Sequence, residues 1–436
     1  RMNGSDRMGD GKYLNKIFGL LGEKAGRPTN ENGKIAWGFL NSLQELIRDE
    51  TGILKNAKFM HAGSAYEGLS VNAEADFDIP LILSGPGRIF VRENFEIYRE
   101  EQSKQFLLKW KENIHSEYRY KYNSNGFLHS KALLNDAFER LEFLISELSD
   151  WKVEAKRGLV SLVLTIYSQF GSKRISMDLV TQISFSHWEC PDIVPLHRLP
   201  ESLQRYVVKL QRNGSSIFFA SLTVPKPQSA ELCSIAFSML EKKFLVEDVN
   251  VRDIVRLVKL IAECRNWKKK YSLKSFQLKH LAIKHVEKLI GIPIWEGVKL
   301  LLNYIYNDLQ DNTIKDFFIK NQVIYPGKPT KVNDIHREIH EVMKWSPNDL
   351  YKEAERLYER EEDEHTGLQT WTPYRGTTAH SHRTQEWLHP SNSANMAAYD
   401  REEEEGSGLS TMTKVGIGAG VAVGVAAIAA LAAASK

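Results

Sequence analysis

Asp76 and Asp78 stand two residues apart in the run Asp76-Phe77-Asp78-Ile79-Pro80-Leu81-Ile82-Leu83. On a strand, residues spaced by two point to one side, roughly 6–7 Å apart. Two carboxylates so placed repel unless water solvates them or a cation lies between them, and the pair alone fits either case. A third acid, Asp178, sits in Ile175-Ser176-Met177-Asp178-Leu179, again in the polar phase of an apolar alternation. Before the first pair comes Gly63-Ser64, where glycine lets a phosphate approach the backbone and serine adds a hydroxyl donor. Three acids on neighbouring strands with a phosphate-gripping Gly-Ser loop describe a two-metal phosphoryl-transfer site. There Mg²⁺ (or Mn²⁺), held by hard oxygen ligands, relieves the repulsion between a triphosphate and an incoming hydroxyl.

These residues need elements to carry them. Ile35, Phe39, Leu43 and Ile47 recur at helical spacing and predict an early amphipathic helix. Asp76 to Leu83 alternates as a half-buried strand with Phe77, Ile79, Leu81 and Leu83 on one face, and Pro80 suggests an edge. A Gly85-Pro86-Gly87 turn, a polar Lys- and Tyr-rich stretch to Asn125 and a helix over Lys131 to Leu148 follow. Leu159 to Ser168 and Arg174 to Phe185 flank Gly171-Ser172 and read as a hairpin. Beyond Pro200 the pattern turns helical, with Val251, Ile254, Val255, Val258 and Ala262 on one stripe and further helices from Gln277, Trp295 and Thr313. The expected fold is therefore α/β + α: a mixed-sheet lobe over residues 33–200, a helical lobe over 201–344, a flexible start over 1–32, and an acidic tail over 345–413 that begins as a helix fragment and continues disordered.

The chain has 436 residues, 42% of them apolar, enough for two or three domains with real cores. Charge is unevenly spread. Trp345 to Thr413 holds fourteen Asp/Glu against six Lys/Arg and the last 23 residues add two Lys, so with +3 overall Arg1 to Lys344 carries +9. A basic body with an acidic tail suits a polyanionic partner, and equally a solvated Lys-rich surface. Cys190, Cys233 and Cys264 are odd in number and far apart, which speaks for a reducing compartment rather than a disulfide framework. Arg1 to Lys12 lacks the apolar run of a signal peptide. Val415 to Ala434 is twenty residues without a charge between Lys414 and Lys436. Its length suits a tail anchor in a bilayer, with Gly416, Gly420 and Gly424 at every fourth position, while its Ala/Gly composition suits a low-complexity tail. The expected location is cytoplasmic, either free or tail-anchored to a membrane.

Gly63-Ser64-Ala65-Tyr66-Glu67-Gly68-Leu69 followed by Asp76-Phe77-Asp78 resembles the signature of the cyclic GMP-AMP synthase and male-abnormal (Mab) family of nucleotidyltransferases. Arg174-Ile175-Ser176-Met177-Asp178-Leu179 is similar to the family's later acid strand. The resemblance continues through Val224-Pro225-Lys226, Ala236-Phe237-Ser238 with Glu241, and Ser275-Phe276-Gln277-Leu278-Lys279, covering roughly Gly33 to Pro326 in order. It implies a bilobal nucleotidyltransferase fold and a cyclic dinucleotide second messenger made from ATP and GTP in innate immune signalling. It further implies that Gly63 and Ser64 hold the triphosphate, that Asp76, Asp78 and Asp178 bind both metals, and that Asp178 activates the attacking ribose hydroxyl. Ser275 would touch phosphate, Phe276 would stack on a base and Lys259 would balance phosphate charge. Without the resemblance, Phe276 reads equally as core and Lys259 as a solvated helix lysine.

Two positions depart from the family. Cys233-Ser234 replaces a common Trp-Arg, so an arginine that would reach the nucleotide is missing. Only Val246 to Asn250 stands where the vertebrate DNA sensor inserts its zinc thumb, so no structural zinc is expected, and His187 with Cys190 is a lone pair. This makes the chain similar to the invertebrate receptors that sense double-stranded RNA or other ligands. Cationic candidates for such a duplex are Lys152, Lys156 and Arg157, and Lys268, Lys269 and Lys270 interleaved with Trp267 and Tyr271. An oligoadenylate-type synthase and a noncatalytic Mab-family scaffold are the alternatives; the three acids with Gly-Ser speak against the scaffold.

Overall fold

In the computed structural model the described residues are 4–24, 31–60, 67, 69–71, 76–100, 106–167, 174–222, 232–311, 313–325 and 332–367. Gly63-Ser64, Val224-Pro225-Lys226 and the segment 415–434 lie outside them, as does the side chain of Asp76. The elements run α1 (Gly4–Lys24), α2 (Glu31–Arg48), β1 (Lys58–Phe59), β2 (Asp76–Leu83), β3 (Phe95–Arg99), β4 (Phe106–Trp110), α3 (Glu117–Lys121), β5 (Asn123–Ser124), β6 (Phe127–Leu128) and α4 (Ser130–Glu147). Then come β7 (Lys152–Arg157), β8 (Ser161–Tyr167), β9 (Arg174–Phe185), α5 (Glu201–Arg212), β10 (Phe218–Leu222), β11 (Leu232–Ala236), α6 (Ser238–Glu247) and α7 (Val249–Cys264). The remainder is α8 (Trp267–Tyr271), α9 (Ser275–Lys284), α10 (Val286–Leu289), α11 (Ile294–Asp308), β12 (Ile314–Lys315), β13 (Val323–Tyr325), α12 (Val332–Val342) and α13 (Pro347–Gly367).

The architecture is mixed α/β, with an eleven-stranded sheet and thirteen α-helices among the described residues. The long strand β9 is its axis. Parallel β2 takes one edge over residues 176–183, and antiparallel β8 and β10 share the other edge, one after the other. The apolar phase of these strands, Phe77, Ile79, Leu81 and Leu83 with Ile175, Met177, Leu179 and Ile183, is wholly buried in one core with the apolar faces of α2 and α4. The period-two pattern thus sets which side of the sheet is covered, and the acids fall on the other side.

Pro80 has a different position from the edge its type suggests, because β1 flanks β2. Its carbonyl accepts from Met60 N–H at 2.8 Å on the β1 side. The N–H that proline lacks would face the same side, opposite Met60, so the return bond of that pair is missing where the β1 ladder ends.

The helical reading beyond Pro200 also needs correction. Phe218 to Leu222 is buried at every position and forms a central strand, β10, paired to β9 and β11. A five-residue run with four apolar residues has no period that separates such a strand from a buried helix segment. Around Thr313 a short hairpin replaces the expected helix: the Asp316 carboxylate accepts the N–H groups of Phe318 and Ile319, turning the chain between β12 and β13.

The segment read as a flexible start is helical over Gly4–Lys24, with Ile17 and Leu21 buried. It packs on α13, where Tyr13 and Tyr351 lie 6.2 Å apart and Lys16 sits over both rings. α13 itself answers to the helix fragment expected at the start of the acidic tail. Central to the helical part is α7, buried on every side of its middle turns, with Arg256 and Lys259 as enclosed as Val255 and Val258. α11 comes so close to it that a Cβ at Gly297 would run into Ile254. Among the described residues no helix is long and apolar enough to cross a membrane, and all three cysteines are free thiols.

Candidate active site

The parallel register of β2 and β9 places Asp78 opposite Asp178 and Asp76 opposite Ser176. Phe77 and Met177 point to the core from the same two strands, so the three acids take positions on the other face. Asp78 is exposed and Asp178 half-buried. Strands lie roughly 4.8 Å apart, and at about that spacing two unit charges repel by about 3 kcal/mol at an effective dielectric constant of about 20. Exposed carboxylate oxygens are hard donors, which fit Mg²⁺ or Mn²⁺ rather than a soft metal. Among the described residues no three His, Cys, Asp or Glu side chains converge as a ligand set; the Asp76 side chain is not among those residues.

Further along this face, Gln182 donates to Ser221 Oγ at 2.8 Å, and Ser234 stands in the same row of the sheet. Cys233 turns into the core and its thiol is pushed up above the ordinary range by burial. Ser234 is exposed.

A second cluster gathers around Glu67, whose side chain is 0% exposed. Lys279 Nζ lies 3.1 and 3.2 Å from its two carboxylate oxygens and 2.5 Å from Glu241 Oε2. Burial works to lower the Lys279 pKa, but Glu241 and Glu67 outweigh it and hold the ammonium above its ordinary range. Lys259, on α7, is buried, and burial pushes it down to about 8 against the pull of Glu67. That burial excludes the solvated-lysine reading. Lys279 lies one helical turn after Ser275, so both share the side of α9 that meets Glu67.

The start of α9 is fixed by Gln277, whose Oε1 accepts Lys274 N–H at 2.6 Å while its amide donates to Ile324 O. Ser275 and Phe276 occupy the first turn, and the Phe276 ring is 48% exposed, which excludes the core reading for it. Here the structure brings Lys259 and Glu67 to one locality, with Ser275 one turn before Lys279 on α9. Glu241 and Lys279 belong to it as well; the sequence marks both within motifs but assigns them no role.

The cationic candidates separate into two kinds. Lys152, Lys156 and Arg157 lie exposed on edge strand β7, where Arg157 is held by Glu142 at 2.8 and 2.5 Å and Lys152 sits over the Tyr167 ring. Lys268, Lys269 and Lys270 are exposed on α8, with Lys270 paired to Glu338 at 2.8 Å. The aromatic interleaving is not a surface feature: Trp267 and Tyr271 are core residues, and Trp267 Nε1 donates to Glu338. Sequence reading missed a third group. Arg205, Lys209 and Arg212 recur along the exposed side of α5 and have no salt-bridge partner among the described residues. Leu203, Val207 and Leu210 on the buried side were the periodic signal for it.

Compared with known proteins, the chain matches no family model, and no curated protein matches it in sequence.

Proposed function

We propose that this chain is a metal-dependent nucleotidyltransferase of the cyclic GMP-AMP synthase-like receptor type, joining ATP and GTP into a cyclic dinucleotide that serves innate immune signalling. One observation carries the reading: Asp78 and Asp178 are in register on adjacent parallel strands, with Asp76 on the same face. A face that bore acids only for solubility would have no need to align them across strands from distant parts of the chain.

Bound Mg²⁺ or Mn²⁺ would neutralise triphosphate charge and lower the pKa of the incoming hydroxyl. In this reading Asp76, Asp78 and Asp178 hold the cations, and Asp178 also orients the attacking ribose hydroxyl and takes its proton. Lys259 offsets charge on the triphosphate, Ser275 hydrogen-bonds a phosphate oxygen, and the exposed Phe276 ring stacks on a base. Gly63-Ser64 is the expected backbone cradle. Ser234 supplies a hydroxyl in place of an arginine, so base choice differs from relatives that keep one.

The activator we propose is double-stranded RNA. The exposed cations of α5, α8 and β7 support a partner met through phosphates and ribose hydroxyls rather than base edges. The test is incubation of the pure protein with labelled ATP and GTP, Mg²⁺ and a panel of single- and double-stranded RNA and DNA. Expected is a cyclic dinucleotide that requires duplex RNA and vanishes in Asp178→Asn. Linear oligomers would move the chain to the oligoadenylate-type synthases, and no product with any ligand would leave the scaffold reading.

A further inference from the structure

Glu67, Leu69, Ser70 and Val71 lead into β2 with anchors to three separate helices. The Glu67 carboxylate is held by Lys279 of α9, which also binds Glu241 of α6. Ser70 O accepts from Arg256 Nε of α7 at 3.1 Å, and the same buried guanidinium reaches Leu21 O of α1. Val71 O accepts from the Tyr358 hydroxyl of α13. Leu69 and Val71 side chains are buried as well. So dense a set of charged and polar fastenings on a few residues is costly unless their placement matters, because each buried ion must find full compensation. The backbone bonds come from an arginine and a tyrosine; the remaining fastening is ionic. In it one ammonium satisfies two carboxylates from different elements.

We propose that Lys279 is a positioning residue: by bridging Glu67 and Glu241 it sets the run that enters Asp76, and so the placement of the acid pair relative to α9 and α7. The inference rests on the reading above, in which Asp76 and Asp78 are reacting-site acids. It separates the two lysines of the cluster. The Lys279 ammonium is committed to protein carboxylates, 12% exposed and within 3.2 Å of both partners, whereas the reading above assigns the triphosphate to Lys259. An ammonium that bound phosphate would contribute to substrate affinity. One that places the acids instead shows in turnover, because a displacement of about 1 Å at a reacting group lowers rate by about 100-fold.

The test combines kinetics with hydrogen exchange on the full chain. In Lys279→Met, turnover should fall about 100-fold while KM for ATP stays within about threefold, and Lys279→Arg should restore most of it. Peptides covering 67–83 should exchange faster in Lys279→Met, and peptides of α11 should not. Should that variant fail to fold, its two buried carboxylates being left without a cation, the neutral combination Glu67→Gln, Lys279→Met, Glu241→Gln removes the charges together. Its urea midpoint should recover, while exchange over 67–83 stays fast and turnover stays low. A raised KM with turnover intact would make Lys279 a phosphate ligand and overturn the proposal. Parental exchange over 67–83 in the neutral combination would overturn it too. If the parent makes no product from any nucleotide, the nucleotidyltransferase reading falls and exchange over 67–83 alone decides the role of Lys279.

Discussion

On the outer face of β2 and β9 an exposed and a half-buried carboxylate stand in register, whereas around Glu67 two carboxylates and two lysines are packed away from water. The first arrangement concentrates like charge where solvent or a cation can reach it. The second alternates charge, each buried carboxylate meeting the Lys279 ammonium. Dielectric environment explains the contrast: solvent screens like charges near the surface to a few kcal/mol, while a buried ion without a partner costs several kcal/mol more than one that is paired. The buried cluster therefore has its opposite charges in direct contact, whereas the acids of β2 and β9 are aligned on the more exposed side of the sheet.

Substitutions should break this contrast in opposite ways. The largest effect expected is on the acid face: Asp178→Asn or Asp78→Asn lowers nucleotide synthesis by about 1,000-fold or more while the urea midpoint holds or rises, since one repelling charge is gone. Product formation with labelled ATP and GTP checks it, and turnover within about tenfold of the parent would remove Asp178 from the site. In the buried cluster Glu67→Gln should instead destabilise the fold by about 3 kcal/mol, because Lys279 loses one of its two anions. Chemical denaturation reads that loss.

A pH series sharpens the comparison further. The Lys259 pKa in the folded chain, about 8, lies below its ordinary 10.5, so the native state releases this proton first. Between those values the unfolded chain holds more protons, and the Lys259 contribution to stability improves as pH rises through that window. On the proposed function, which sets the Lys259 charge against a triphosphate, synthesis should move the other way, with kcat/KM falling above about pH 8 by about tenfold per unit. Lys259→Arg should lose that limb. Smallest is the effect of the surface cations: replacing Lys209 by Ala should weaken duplex RNA binding and lower the slope of log affinity against log salt by about 1. Binding titrations at several salt concentrations measure it. An equal change on replacing Lys270, already paired to Glu338, would show that the pairing does not matter.

Where residue patterns repeat over a long enough window, the fold was legible before any coordinates. The alternation of β2, the β8–β9 hairpin, α4 and the stripe on α7 all carry a clear period, and each appears where that period puts it. The acids of β2 and β9 could be singled out because an ion in the polar phase of an apolar strand stands out against its neighbours. Short apolar runs such as Phe218 to Leu222 carry no such signal. Trp267 and Tyr271, flanking three lysines, looked like a nucleic-acid surface, yet in α8 only the lysines point outward and the two rings fill the core. The link from Glu67 to Lys279 spans more than half the helical part of the chain, and no local spacing announces it.

The parallel pairing of β2 with β9 also bears on how the protein is made. Asp78 and Asp178 meet across about 100 residues, and closing a loop of that size costs about 4 kcal/mol of chain entropy, against less than about 2 for the β8–β9 hairpin. The hairpin can form as soon as both its strands exist, but β2 must wait. At about 5–20 residues per second on the ribosome, some 5–20 seconds separate the emergence of the two acids. Throughout that interval Phe77, Ile79, Leu81 and Leu83 lack the neighbouring strand that later lies beside them. A nascent chain halted before β9 therefore holds an apolar strand prone to mispairing and an acid pair without its third member.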